Sequence, residues 1–136
     1  MQDAAAGWGA CDSRRMQDER RRRGIEAYAS QLELPPDEVV GWFTGRFGER
    51  FAEEAFAAAG GAWTDEGLSL RDRSLVVVAA LVTLGGLEQR LRPHLRWAVE
   101  HGCTRAELEA AVALLGRYAG EDKPAAALAL VREELG

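Results

Sequence analysis

Apolar residues in this chain recur at three- and four-residue intervals, and no stretch shows the two-residue alternation of a half-buried strand. The pattern is helical from Met16 to Leu32. Pro35-Pro36 ends that segment, because proline lacks an amide hydrogen and restricts the residue before it. Between Asp37 and Ala59, Val39, Val40, Trp42, Phe43, Phe47, Phe51, Ala55 and Phe56 form the stripe of one or two amphipathic helices, which Gly60-Gly61 is read as stopping. A linker, Ala62 to Leu68, follows. Ser69 then stands as an N-cap with Asp72 in the first turn. The helix it starts, Leu70 to Leu84, is apolar nearly all round after Ser74, which places it in the middle of a bundle.

Three more helices complete the pattern. One runs from Leu87 to Glu100 and is closed by Gly102. The next opens on a capping box, Thr104 with Glu107, and reaches Tyr118 before Gly120. The last starts at Asp122-Lys123-Pro124, with proline suited to a first turn, and reaches Leu135. The expected fold is a compact all-α bundle of about six or seven helices with short connections. Residues 1–15, rich in Ala, Gly and Asp and without a period, read as a flexible leader to a single domain spanning 16–136.

Composition narrows the function. The length of 136 residues suits one domain, and 47% hydrophobic with 29% charged residues supplies both a core and a solvated surface. A net charge of −5, with the basic run Arg20 to Arg23 preceded by Asp18 and Glu19, argues against a nucleic-acid partner. No apolar run approaches the ~18 residues of a membrane span, and no secretory signal is visible. Cys11 and Cys103 are the two cysteines, with no disulfide framework, so a cytoplasmic protein is expected. Cys103 lies just before the capping Thr104, where a helix N-terminus lowers a thiol pKa; a small space-filling residue is the plainer reading.

The helix from Leu87 carries the candidate chemistry. At about 100° per residue, Leu87, Leu91, Leu95 and Ala98 share a core-facing arc, and His94 falls within it. Arg90, Trp97 and His101 line one edge of that arc. Gln89, Arg92, Arg96 and Glu100 take the opposite face, with Arg92 and Arg96 directed to water or another subunit. Pro93 removes one backbone hydrogen bond and is expected to kink the helix just before His94. His94 and His101 stand seven residues apart, too wide for a chelating pair on one helix, and no third ligand is in sight, so no metal site is expected. On pattern alone, a core histidine satisfied by a backbone carbonyl accounts for His94.

Several fragments nevertheless resemble the carboxymuconolactone decarboxylase family, which has an alkylhydroperoxidase D-like fold. Trp63 precedes Leu68-Ser69-Leu70-Arg71-Asp72-Arg73-Ser74-Leu75, similar to the start of that family's central helix. Leu91-Arg92-Pro93-His94-Leu95-Arg96, Gly102-Cys103-Thr104-Arg105-Ala106-Glu107-Leu108, Tyr118-Ala119-Gly120 and Pro124-Ala125-Ala126 resemble later motifs, in the family's order. One branch of the family is a thiol peroxidase with Cys-x-x-Cys ending four residues before the histidine. Leu87 and Arg90 occupy those positions here, so thiol peroxidase chemistry is not expected. The resemblance is to the other branch. It departs at Gly85-Gly86, with one extra residue, at Leu114, where the family tends to be polar, and at Glu121-Asp122-Lys123, a longer insertion than usual.

The resemblance implies a cofactor-free carboxy-lyase acting on a small carboxylic acid or lactone such as 4-carboxymuconolactone, in aromatic-acid catabolism. His94 is then the catalytic imidazole, with Glu49 its first-ranked carboxylate partner ahead of Glu53 and Glu54. Arg90 anchors a substrate carboxylate, Trp63 and Trp97 wall the pocket, and Tyr118 belongs to the substrate-binding set. Burial beside Arg90 is expected to favour neutral imidazole. The family also implies a homo-oligomer, trimer or hexamer. Two other readings stay open: a same-fold enzyme on another keto or lactone acid, and a non-catalytic helical oligomer that binds a small acid.

Overall fold

The computed structural model describes the backbone from residue 6 to 136 and the side chains from Asp12 onward. The described residues form seven helices and no strand, in the order α1 (Ala6–Leu32), α2 (Pro36–Phe47), α3 (Glu49–Ala62), α4 (Leu70–Leu84), α5 (Glu88–Glu100), α6 (Arg105–Leu115) and α7 (Asp122–Leu135). None of them is long and apolar enough to cross a membrane. Where the pattern reads one domain, packing divides the chain into two compact units, Met1–Asp65 and Glu66–Gly136, parted within the expected linker.

In the first unit, α1 begins at Ala6 rather than Met16, so residues 6–15, read from sequence as leader, are helical; residues 1–5 lie outside the described residues. Asp12 to Asp18 are exposed on every side. Without a buried face a helix has no apolar stripe, and periodicity cannot detect it. The Phe-rich stretch is two helices, broken at Gly48, whose φ of +83° suits glycine alone among common residues. Ile25, Ala29, Val39, Phe43, Ala52 and Phe56 form this unit's core. Within it the Phe43 ring lies 4.5 Å from Tyr28 and 5.2 Å from Phe56, centroid to centroid.

Gly60-Gly61 does not stop α3, which continues to Ala62. These glycines serve the packing of α1 on α3. A Cβ on Gly60 would overlap the Arg20 carbonyl, and one on Gly24 would overlap the Phe56 carbonyl. With the backbones that close, Arg21 reaches Glu53 through two hydrogen bonds of 2.6 and 2.9 Å, and Arg20 Nε donates to the Ala57 carbonyl at 2.9 Å.

The second unit follows its capping signals, but α6 ends at Leu115 and does not reach Tyr118. Ser69 accepts from the Asp72 amide at 3.1 Å, and Thr104 and Glu107 form both bonds of the capping box. Val78, Leu81 and Val82 of α4 pack with Leu91, Leu95, Ala98, Leu108, Val112, Leu130 and Val131. The expectation that α4 is surrounded is corrected here. Its buried face is Ser74, Val78, Leu81 and Val82, while Val76 and Leu84 are 57% and 66% exposed. The α5, α6 and α7 helices all contact α4. They leave one side of it to solvent.

Arg92 and Arg96 do leave the His94 arc, but they bond within the chain rather than pointing to water. Arg92 donates to Glu134 at 2.5 Å and Glu133 at 3.2 Å, and Arg96 to Glu134 at 2.7 Å, fastening α5 to α7.

Candidate active site

The α5 helix runs unbroken through Pro93. It buries Leu91, Leu95 and Ala98 on the predicted arc, and His94 with them at 6% exposure. The three-residue step from His94 brings Trp97 alongside, with ring centroids 6.0 Å apart, and Trp97 in turn lies 4.9 Å from His101. Arg90 is exposed, yet close enough for its charge to act on His94. Burial, and secondly that guanidinium, push the His94 pKa down to about 4. His94 is therefore a neutral imidazole at pH 7, able to donate from one ring nitrogen and accept at the other.

This depressed pKa has a measurable consequence. The unfolded chain takes up a proton at His94 near pH 6.5, which the folded chain resists until about pH 4. Folded stability contributed by the neutral ring is thus complete above 6.5 and is lost as pH falls through that window. Urea midpoints should show a loss of about 2 kcal/mol between pH 7.5 and 5. Carboxylates held low by arginines, Glu53 and Glu134 among them, act only below 4.5. Burial also lowers the His101 pKa and adds in the same direction. In His94→Gln the loss should shrink by most of that amount; an unchanged slope would show that His94 is not the group responsible.

Two neighbours in this unit were not singled out from sequence. Ser74 of α4 is 2% exposed, and its Oγ lies 2.8 Å from His101 Nδ1. Arg73 is near enough for its charge to lower the His101 pKa further, after burial and against Glu100. The available signal was register: Ser74 stands four, seven and eight residues before Val78, Leu81 and Val82, on α4's buried face.

The remaining expected site residues are distributed more widely. Glu49 is the exposed first residue of α3, and Trp63 is the half-buried C-cap of that helix, both in the first unit. Glu53, an alternative to Glu49, is engaged by Arg21. Tyr118, 83% exposed, follows the C-terminal end of α6, whereas His101 lies just before that helix begins. The 11-residue helix separates the two by about 16 Å along its axis. Cys103 is buried at 3%, and burial raises its thiol pKa, as a space-filling residue's should be and opposite to an activated thiolate.

The departures noted at Gly85-Gly86 and Glu121-Asp122-Lys123 meet in space. Gly85, Gly86, Asp122 and Lys123 border a cavity of about 240 Å³ whose apolar wall includes Leu81, Leu91 and Leu130. The Lys123 stem lies against Gly85, and its Nζ donates to the Thr83 carbonyl at 3.4 Å.

Residues 49–133 match the model of the carboxymuconolactone decarboxylase family. Over 76 residues the chain is 38% identical to a protein named 4-carboxymuconolactone decarboxylase from Acinetobacter baylyi. That match covers 56% of this chain and 56% of the relative, so the chain spans about half of that protein's length. No solved structure matches.

Proposed function

Because this chain belongs to the carboxymuconolactone decarboxylase family, we propose that it is a cofactor-independent carboxy-lyase. Its substrate is a carboxylated lactone of the 4-carboxymuconolactone kind, met in the cytoplasm during aromatic-acid breakdown. The observation that carries this reading is a buried, neutral His94 beside the exposed guanidinium of Arg90.

In such a substrate the departing carboxylate sits on a carbon conjugated through an alkene to the lactone carbonyl. When the bond to the carboxylate breaks, CO2 leaves and the electron pair moves to the carbonyl oxygen as a dienolate. Carbon then takes a proton, and the lactone is restored. Arg90 pairs with a substrate carboxylate, a bidentate geometry that suits guanidinium. That anion, once bound, favours the protonated form of His94, against the burial that keeps the ring neutral when the site is free. His94 then has a proton to return to carbon, and its N–H stabilises the dienolate on the way. The apolar surroundings keep water out and strengthen both interactions. Trp97 supplies a wall beside His94 in the second unit.

The assembly that fits this reading is a homo-oligomer, trimer or hexamer. The exposed apolar residues Phe47, Phe51, Val76 and Leu84 are surface that it would cover. A second substrate reading, another keto or lactone acid, is suggested by the departures from the family pattern at Gly85-Gly86 and Glu121-Asp122-Lys123.

The test is direct. The purified chain is incubated with 4-carboxymuconolactone and a panel of lactone and β-keto acids, and released CO2 is measured. Release from the lactone is expected. Release from a keto acid alone would move the assignment to the second reading, and none from any member would leave a small-acid binder without catalysis.

A further inference from the structure

We propose that Ser74 and His101 are a positioning pair for His94: their hydrogen bond orients the His101 ring, His101 seats Trp97, and Trp97 sets the His94 imidazole. The inference rests on reading His94 as the reacting group.

The chain of contacts is continuous within the second unit. Ser74, on the buried face of α4, meets His101 Nδ1 at 2.8 Å. The His101 backbone is held as well, its amide donating to the Trp97 carbonyl at 2.9 Å where α5 ends. The Nδ1 bond restricts how the imidazole turns about its side-chain torsions. It packs against Trp97 at a tilt, 4.9 Å and 45°, and Trp97, 9% exposed, meets His94 at 6.0 Å and 42°. His94, Trp97 and His101 share one helix face by their spacing.

Packing alone does not require this arrangement. An apolar pair at 74 and 101 would fill the same space without a buried hydroxyl, which costs free energy unless it is hydrogen-bonded. A hydrogen bond adds direction, which an apolar contact lacks. The charges nearest the two rings are Arg90 for His94, and Glu100 and Arg73 for His101. From α7, Glu133 and Glu134 are occupied by Arg92 and Arg96; from α6, Glu107 is occupied by Arg71 and Thr104. Cys103, just past the end of α5, is a buried thiol whose pKa is raised. The ring contacts link Ser74 to His94 by way of His101 and Trp97.

The chain has two histidines, so NMR of imidazole Hε1 resolves both rings in the intact protein. In Ser74→Ala, the His94 pKa should climb toward 6.5 although Ser74 itself bonds His101. Turnover should fall about tenfold with KM changed less than about twofold, the split expected when orientation rather than binding is lost. His101→Leu should behave alike. His101→Asn, whose amide reaches the Nδ1 position, should restore most of the turnover. If Ser74→Ala shifts the His101 resonance and leaves His94 titrating as before, the positioning role is refuted. Should Ser74→Ala not fold, the two His101 variants decide the matter by the same His94 titration. A chain that decarboxylates nothing leaves the NMR result to stand, so coupling can hold while the catalytic reading of His94 fails.

Discussion

Replacing His94 with asparagine is expected to lower decarboxylation on the order of 10²- to 10⁴-fold, the usual cost of removing a positioned proton-transfer group. Asparagine retains an amide N–H in the buried site but cannot exchange a proton, so the loss should fall on kcat. Arg90→Gln makes the contrasting case. It should raise KM more than it lowers kcat, because a carboxylate anchor binds substrate and transition state alike. Steady-state CO2 release gives both constants, and circular dichroism establishes that each variant is folded. His94→Asn turning over within about threefold of the parent would remove the imidazole from the chemistry. The reading of His94 as a packed core residue would then be the right one.

The largest stability effect is expected away from the site, at Gly24 and Gly60. Alanine at either should destabilise the first unit by about 3 kcal/mol or more. The added methyl meets a carbonyl of the facing helix, Phe56 from Gly24 and Arg20 from Gly60. Neither obstacle is a flexible side chain, so the helices must move apart. That movement strains the bidentate pairing of Arg21 with Glu53 and the bond from Arg20 to Ala57. Gly45 supplies the control: it lies within α2 and nothing is within 4 Å of its would-be Cβ. Gly45→Ala should stabilise by about 0.5–1 kcal/mol, since alanine is the better helix former. Urea unfolding of the three variants reads the difference. Equal effects at all three positions would mean that the close approach of α1 and α3 contributes nothing.

How legible a feature was from sequence depended on the range of the interaction behind it. Caps and helix faces rest on residues within one or two turns, so Ser69, Thr104 with Glu107, and the arc of Leu91, His94, Leu95 and Ala98 could be read directly. The motif order around His94 pointed to the family, which the match over residues 49–133 bears out. Interactions between distant segments were not legible. Gly60 looks like a helix stop because propensity is local; only the Arg20 carbonyl facing it makes glycine a packing requirement. The destination of Arg92 and Arg96 depended on where α7 brings Glu134.

The same division holds at the site. The sequence by itself determined an all-helical chain, a buried imidazole bordered by Arg90 and Trp97, and the absence of thiols at 87 and 90, because each follows from residue identity or the 3.6-residue turn. Tertiary structure decided that Ser74 reaches His101, that α4 keeps an exposed apolar side, and that two separate departures from the family pattern share one cavity. Those outcomes require the distance between residues remote in sequence, and helix packing alone supplies it.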